Sequence, residues 1–567
     1  MWFKKRLVPV ECYSTDRDNF DENMRIIKEH DLPIKIIQLG QRKKKKSHKK
    51  MTYLPGLSPV HDPDFEIETT DDSVFLAEYT GYSNTLNNLL EACINRVFLV
   101  TKNGVLMPPH EPLRGIFKQI HPLADCLAQK LDDHKLMSLD QWVEDSPAHR
   151  RECYRIAAEN LKANGMLPAW EQIKLFTKFQ REKFGKAPRV ICPPCEEAIA
   201  WEGVYIKSVE KPCGGIMSLY GAIDELWQDE VHCVHPVCSK GFTSEVWATI
   251  LYGKWNEFRD PCEIDFDCSR FSQHTRKDAL DLFLYLVTKI FPDAANELEN
   301  KDDVLGKADV PDQDGILNRV SVRLPCMLND GTPKTAASAH VIINLLMINY
   351  FRQTGLTIEP MDCGDDFSII CDIGSMPNLD HMQDYMHDFG YILKVETKEP
   401  VRIFNNISFC RHSPVFVDGH WTMIRPPSCL LKDAMMMCME GEARDRMFAV
   451  GMGGCHANKG VPVYECYYRS LVRLSGLRKF KKKHLAFLYV SNYSYYTRLK
   501  EKDLTKMSSV KERAINFDEI KYSDEDRDSF ELTTGVPPGA QKELEALYNN
   551  IQHVEGNKIP GRYWSPW

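Results

Sequence analysis

No run of about eighteen apolar residues, the length a membrane-crossing helix needs, occurs in this chain of 567 residues. The best candidate, around Val341 to Met347, is far shorter and is interrupted by Asn344. No segment is therefore expected to span a bilayer as a helix. The basic start Met1-Trp-Phe-Lys-Lys-Arg has no apolar stretch behind it, so a secretory leader is not expected either. An excess of positive charge is also missing: 72 Lys and Arg stand against 80 Asp and Glu, a net charge of −8. That balance excludes a nonspecific nucleic-acid coat and leaves local basic patches or a lined channel for any such contact. A disulfide framework is absent as well. The 19 cysteines are odd in number and scattered, which points to reduced thiols in the cytosol. No internal repeat is visible.

What is present is a chain long enough for a large, multi-lobed enzyme with a sizeable core. Four segments follow from its patterning. Residues 1–80 form a preface with the basic block Arg42 to Lys50 and a Pro/Asp-rich stretch from Leu54 to Asp72. Such a block is usually a solvated tail, with a contact to RNA or acidic lipid as the alternative. Residues 81–262 mix helices and short strands, including two helices from Ser138 and from Arg150, the second amphipathic. Residues 263–427 alternate strands and helices. Residues 428–567 read helical to about Glu512, with Met- and Lys-rich faces, and end in the aromatic Arg562-Tyr-Trp-Ser-Pro-Trp.

The sharpest local feature is Met361-Asp-Cys-Gly364-Asp365-Asp366-Phe-Ser-Ile-Ile-Cys, a tight Gly-Asp turn between apolar flanks and so a β-hairpin. Two adjacent acids at a hairpin tip repel each other unless a divalent cation lies between them. A second acidic strand precedes it, Glu263-Ile-Asp265-Phe-Asp267-Cys. Its acids alternate with Ile264 and Phe266 and so share one face. A helix from Arg276 to Phe291 follows, with Ala279, Leu280, Leu282, Phe283, Leu286 and Val287 as its apolar set. Two-metal phosphoryl transfer needs carboxylates from separate strands, holding ions about 3.5–4 Å apart. Asp267, Asp365 and Asp366 meet that requirement, with Asp265 a half-buried neighbour. Between the strands, Gly331-Thr332-Pro333-Lys334-Thr335 opens a buried helix, with Thr332 as its cap and Pro333 in its first turn. A glycine-containing loop at a helix N-terminus suits contact with phosphate or ribose.

In this order the three segments resemble the palm motifs of viral RNA-dependent RNA polymerases of the tombusvirus-like group. Asp267-Cys-Ser-Arg-Phe-Ser272-Gln-His is similar to the first motif, Gly331 to Thr335 to the second, and Cys363-Gly364-Asp365-Asp366 to the third. Phe176-Thr-Lys178-Phe-Gln-Arg-Glu-Lys183 with Ala187-Pro-Arg189 resembles the fingers segment that meets the incoming triphosphate. Ile407 to Phe416 with Trp421 to Arg425 resembles the segment supporting the primer strand, and Gly451 to Val463 with Tyr467-Tyr-Arg-Ser the thumb. The resemblance runs from about Gly81 to about residue 480. It implies an α+β, right-handed fold: a palm of antiparallel sheet plus helices (263–427), fingers (81–262) and a mainly helical thumb (428–567).

The implied activity is template-directed RNA synthesis by two-metal nucleotidyl transfer, replicating a viral RNA genome and starting without a primer. Two Mg2+ ions, or Mn2+, are implied at Asp267, Asp365 and Asp366. Lys178, Lys183, Arg189, Ser272, Gly331, Thr335 and Gly364 are the implied nucleotide-binding residues. Lys394 or Lys398 is the implied general acid for the leaving pyrophosphate. The implied partners are RNA template and product, ribonucleoside triphosphates and a membrane-anchoring viral replication protein. The implied place of action is the host cytoplasm, at membrane-associated replication sites.

Two positions depart from the family pattern. Ser272 stands where the pattern has a second Asp, and Ala339 where it has Asn; in the family these side chains read the ribose 2′-OH. Ser272 and Thr335, with Ser338 or His340, are the candidate replacements, since hydroxyls both donate and accept. The same departures would suit a noncatalytic RNA-binding replication subunit, the competing reading; reverse transcription fits the fingers and thumb segments less well. Arg478-Lys-Phe-Lys-Lys-Lys-His484 is a second basic cluster, suited to an RNA backbone or to a solvated helix face. Cys192, Cys195, Cys233 and Cys238, with His232 and His235, have zinc-ligand chemistry at irregular spacing, and unligated thiols are the default.

Overall fold

The computed structural model describes residues 19–42, 50–53, 79–131, 134–147, 150–178, 181–183, 186–214, 239, 242–397, 399–427, 430, 435–438, 443–477, 484 and 521–550. Its centre is a four-stranded antiparallel sheet in the order Glu359–Asp362, Asp366–Asp372, Pro261–Cys268, Leu393–Val395. The acidic strand Pro261–Cys268 lies inside, paired with Asp366–Asp372 on one side and Leu393–Val395 on the other. Its alternating sequence assigns its faces. Ile264, Phe266 and Cys268 point one way and are buried, while Glu263, Asp265 and Asp267 point the other way.

The apolar face is covered by two helices, Lys277–Ile290 and Lys334–Thr354. The first buries Ala279, Leu280, Leu282, Phe283, Leu286, Val287 and Ile290, the stripe its periodicity predicts. The second is buried nearly all round from Ala337 to Phe351 and ends at Gly355 in the left-handed region. On the sheet, the Phe266 and Phe367 rings stack at 4.8 Å between centroids. Full burial of each such ring contributes about 1.5–3 kcal/mol. The acidic face is half covered. Helix Ser244–Asn256 and the hairpin Ser413–Val417/His420–Ile424 close its lower end through Trp247, Met361, Ile370, Phe409 and Met423.

A second sheet corrects the expected organisation. Its order is Ile34–Arg42, Ile316–Leu324, Val304–Pro311, Ile173–Lys174. Ile34 to Gln38 pair with Val322 to Asn318, and Ile26 and Ile27 of helix Phe20–Glu29 join the core beneath. Residues 20–42 are therefore not a detached preface, because their alternating Ile residues have a buried partner sheet. The basic block between 43 and 49 lies outside the described residues. The hairpin 304–324, interior to the segment read as one alternating unit, pairs with chain segments far away in sequence.

Toward the C-terminus, helices Ala443–Ala457 and Tyr464–Ser475 cross closely. A Cβ on Gly454 would come within 2.1 Å of the Tyr468 ring, so only glycine permits this crossing. Helices Asp524–Thr534 and Pro538–Asn550 and the link between them add Phe530, Val536, Leu544 and Tyr548 to the same core. Within the stretch from Ser428 to about Glu512, expected to be helical, the described residues form helices Ala443–Ala457 and Tyr464–Ser475 and also a strand, Met435–Cys438, paired with Lys50–Tyr53. Of the basic cluster at 478–484 only His484 is described, and its ring meets Asp445 at 2.9 Å. Among the described residues, no helix is long and apolar enough to cross a membrane.

Candidate active site

The central sheet brings the acids together through its register. Asp267 lies directly opposite Asp366 on one neighbouring strand and opposite Lys394 on the other. Directly opposed residues share a face, with Cβ atoms about 4.5–5.5 Å apart, so all three side chains stand on the acidic face. Asp365 occupies the hairpin tip, where Cys363 N–H donates to Asp366 O at 2.8 Å and Gly364 has φ +101°. Lys394 is exposed. Lys398, the other candidate acid, lies outside the described residues.

This face is electrostatically loaded. Desolvation, then the neighbouring Asp365 and Asp267, pushes the Asp366 carboxyl up to about 7, against the pull of Arg411 and the Cys410 thiol. Partial desolvation in the cleft, with Asp267 adding to it, also raises Asp365. Deeper on the same face, burial raises Asp265 to about 9, with Glu263 and Asp366 adding to the effect. Burial raises Glu263 to about 8, although the Ser368 hydroxyl donates to it at 2.5 Å. Raised carboxyls in a row are what burial and like charge produce when no cation compensates them.

Among the described residues, no group of three or more His, Cys, Asp or Glu is drawn together tightly enough to hold an ion by itself. The donors nevertheless suit magnesium: hard carboxylate oxygens from two strands, mutually repelling, beside an open cleft. Magnesium keeps several waters and takes only one or two carboxylates, completing its shell with substrate phosphate.

A cleft of about 280 Å³ opens over these acids. Asp267 and Asp365 form its floor, Ser272, Asn329 and Asp330 one wall, and Arg96, Lys186, Arg189 and Arg411 its basic rim. Of the residues singled out in the sequence, Asp267, Asp365, Ser272 and Arg189 meet here. Lys178 is exposed, its N–H donating to Arg189 O at 2.8 Å, and it does not line the cleft. Lys183 lies on the strand Arg181–Lys183, where it pairs with Tyr79. Gly331 sits behind the wall at φ +105°; a Cβ there would meet Ile191 at 3.0 Å and the Pro193 backbone at 3.4 Å.

The helix after this loop begins at Lys334, and Pro333 takes the cap position. Thr332 does not cap it, because its hydroxyl donates instead to Asn329 O at 3.1 Å. The Thr335 hydroxyl lies within reach of Asn329 O (2.9 Å) and Thr332 O (3.0 Å), which turns it into the loop. Ser338 and His340 face the core rather than the cleft: Ser338 is fully buried, and His340 Nδ1 bonds Asp362 Oδ2 at 2.6 Å. Cys192 and Cys195 are free thiols. Cys233 and Cys238 fall outside the described residues.

Sequence reasoning missed Lys186, Asp330 and Arg411. Asp330 adjoins the glycine already singled out, so its place was within reach. Arg411 could not be found that way. It and Cys410 form a two-residue turn between Phe409 and His412 with both residues at positive φ, +59° and +49°. Non-glycine residues there cost about 1–3 kcal/mol each, and this turn places the guanidinium beside Asp366.

Comparison with known proteins gives a consistent result. Residues 69–555 match the family described as viral RNA dependent RNA polymerase. The RNA-directed RNA polymerase of groundnut rosette virus (strain MC1) is 26% identical over 498 residues, covering 87% of this chain and 54% of the viral protein. That of tobacco necrosis virus (strain A) is 25% identical over 490 residues, covering 84% and 63%. That of turnip crinkle virus is 26% identical over 494 residues, covering 84% and 58%. The chain thus spans little more than half the length of these curated relatives.

Proposed function

The chain belongs to the viral RNA-dependent RNA polymerase family, and on that premise we propose that it copies an RNA template from ribonucleoside triphosphates by two-metal nucleotidyl transfer. The observation that carries this reading is the register that sets Asp267 opposite Asp366, with Asp365 at the adjoining turn, under a cleft with a basic rim. In this reading the central sheet and its two covering helices are the palm. The second sheet belongs to the fingers, and the C-terminal helices to the thumb.

In the reaction the 3′-hydroxyl of the growing strand gives up its proton to solvent and its oxygen attacks the α-phosphorus of the nucleotide. The bond to pyrophosphate breaks, and the leaving oxygen takes up a proton. Asp267, Asp365 and Asp366 would hold the magnesium ions, which when bound would neutralise charge at the transferred phosphate and make the attacking hydroxyl more acidic. Arg189 and Lys186, on the rim, bind the triphosphate, with Arg189 able to bridge two phosphate oxygens. Lys178 and Lys183, in the same strand-and-loop segment, are the further triphosphate-binding residues of this reading. Lys394, on the acidic face beside Asp267, donates the proton to pyrophosphate. Initiation without a primer, action in the host cytoplasm at membrane-associated sites and recruitment by a membrane-anchoring viral protein complete the reading.

The test is RNA synthesis by the purified chain on a short RNA template with Mg2+, beside Asp365→Asn. The expected result is metal-dependent product in the wild type and a loss of more than about a hundredfold in the variant. No metal-dependent product from the wild type would overturn the enzymatic reading in favour of a noncatalytic RNA-binding subunit.

A further inference from the structure

Asp330 is an anion in a cleft proposed to take a polyanionic substrate. Its carboxylate joins two walls. Oδ2 accepts from an Arg189 guanidinium N–H at 2.8 Å, and Oδ1 accepts from the Ser272 hydroxyl at 3.0 Å. Its backbone is pinned as well, since Asp330 O accepts from Cys192 N–H at 2.8 Å. The neighbouring Gly331, the one residue whose missing Cβ lets this loop lie against Ile191 and Pro193, fixes the approach. The Asp330 side chain is 20% exposed and that of Arg189 40%, both toward the cleft that Asp267 and Asp365 floor.

Two consequences follow from the donor and acceptor inventory. The Ser272 hydroxyl has one proton, and that proton is committed to Asp330. Ser272 can therefore accept from a ligand but has nothing left to donate. The Arg189 pair is half exposed, so its carboxylate partner is exchangeable. A triphosphate offers a higher charge density and several oxygens for the same planar fork. Once Arg189 turns to phosphate, Asp330 is left with acceptor capacity, held in place by Ser272 and by its own backbone. The part of a nucleotide that can satisfy acceptors without adding negative charge is its sugar hydroxyls.

Resting on the polymerase reading above, we infer that Asp330 is a specificity-determining residue that holds Arg189 as a counter-ion in the empty cleft, releases it to the triphosphate, and then accepts a hydrogen bond from the ribose 2′-hydroxyl. Ser272 acts with it as the positioning residue. This assignment replaces Thr335, Ser338 and His340 as sugar contacts, since their polar atoms are engaged in the loop or directed to the core. A deoxyribonucleotide would leave the carboxylate, beside phosphate and mostly shielded from water, with Ser272 as its one donor, and that unmet acceptor capacity is what disfavours a substrate lacking the hydroxyl.

The experiment measures kcat and KM for ribo- and 2′-deoxyribonucleoside triphosphates, with Mg2+ and a short RNA template, in wild type, Asp330→Asn and Asp330→Ala. Asp330→Ala should reduce the ribo-to-deoxy preference by about tenfold or more, chiefly by lowering KM for the deoxy substrate. Asp330→Asn keeps an acceptor oxygen but loses the charge, so KM should fall for both substrates while part of the preference survives. An unchanged preference in Asp330→Ala, or an equal fall in kcat for both substrates at constant KM, would reduce Asp330 to a structural brace and overturn the inference. If Asp330→Ala does not fold, the Asp330→Asn values decide on the same terms. Failure of the polymerase reading is separable, because it shows as absence of product in the wild type.

Discussion

The two faces of the central sheet are built from the same strands and obey opposite rules. On the apolar face, Ile264, Phe266, Phe367 and Ile369 are buried against helices. On the other, Glu263, Asp265, Asp267 and Asp366 repeat at the same period, and burial raises three of their carboxyls. One face stabilises the fold by removing carbon from water. The other stores unfavourable charge beneath an open cleft, where a cation can bind. Neighbouring residues on one strand therefore face a packed core and a candidate site separately, and a two-residue period is enough to set one against the other.

The sharpest test of that contrast uses adjacent residues. Asp267→Asn should lower RNA synthesis by more than about a hundredfold, while its thermal midpoint without metal stays level or rises, because a repelling charge has gone. Phe266→Ala should do the reverse. It should lose about 3–5 kcal/mol of stability by denaturant titration, with residual activity in proportion to the folded fraction. Matching losses of stability in the two variants would break the comparison.

An effect of similar size, read in stability alone, tests the covered end of the acidic face. Lys254 and Glu359 form a fully buried pair at 2.7 Å. Lys254→Met alone should cost about 3–5 kcal/mol by leaving a buried carboxylate, whereas Lys254→Met with Glu359→Leu should recover most of it. A double variant as unstable as the single one would show that the pair specifies more than charge balance.

The smallest expected effect is in pH. The Asp366 carboxyl is held up to about 7 from an ordinary 3.8, so the folded state binds its proton more tightly than the unfolded chain. This group's contribution to metal-free stability should fall as pH rises from about 4 toward 7 and level off above. Magnesium needs the carboxylate, so the rise in melting temperature on adding Mg2+ should be larger at pH 8 than at pH 6. Equal shifts at the two values would place the ion away from Asp366.

Much of this was legible in the chain because it is local. The alternation of Glu263 to Cys268 and the Gly364-Asp365 turn each declare their element within a few residues, and helix Lys277–Ile290 carries its stripe openly. Other features were hidden because their partners lie far off in sequence. Ile34 to Gln38 read as part of a separate preface until paired with Asn318 to Val322. Lys178 shares a segment with Arg189 but does not line the cleft. Asp330 gains meaning only from Arg189 and Ser272, 141 and 58 residues away.

Residue order alone thus determined which groups could do the chemistry: acids with period two, a glycine-acid turn, and a glycine loop entering a helix. Those are properties of the backbone's own geometry and need no distant partner. Tertiary structure decided which of them meet. Sheet register set Asp267 against Asp366 and Lys394, a turn with two residues at positive φ brought Arg411 in, and the close approach at Gly331 put a third carboxylate, Asp330, among the residues lining the cleft. Proximity between remote segments follows from packing a common core, and local pattern carries no record of it.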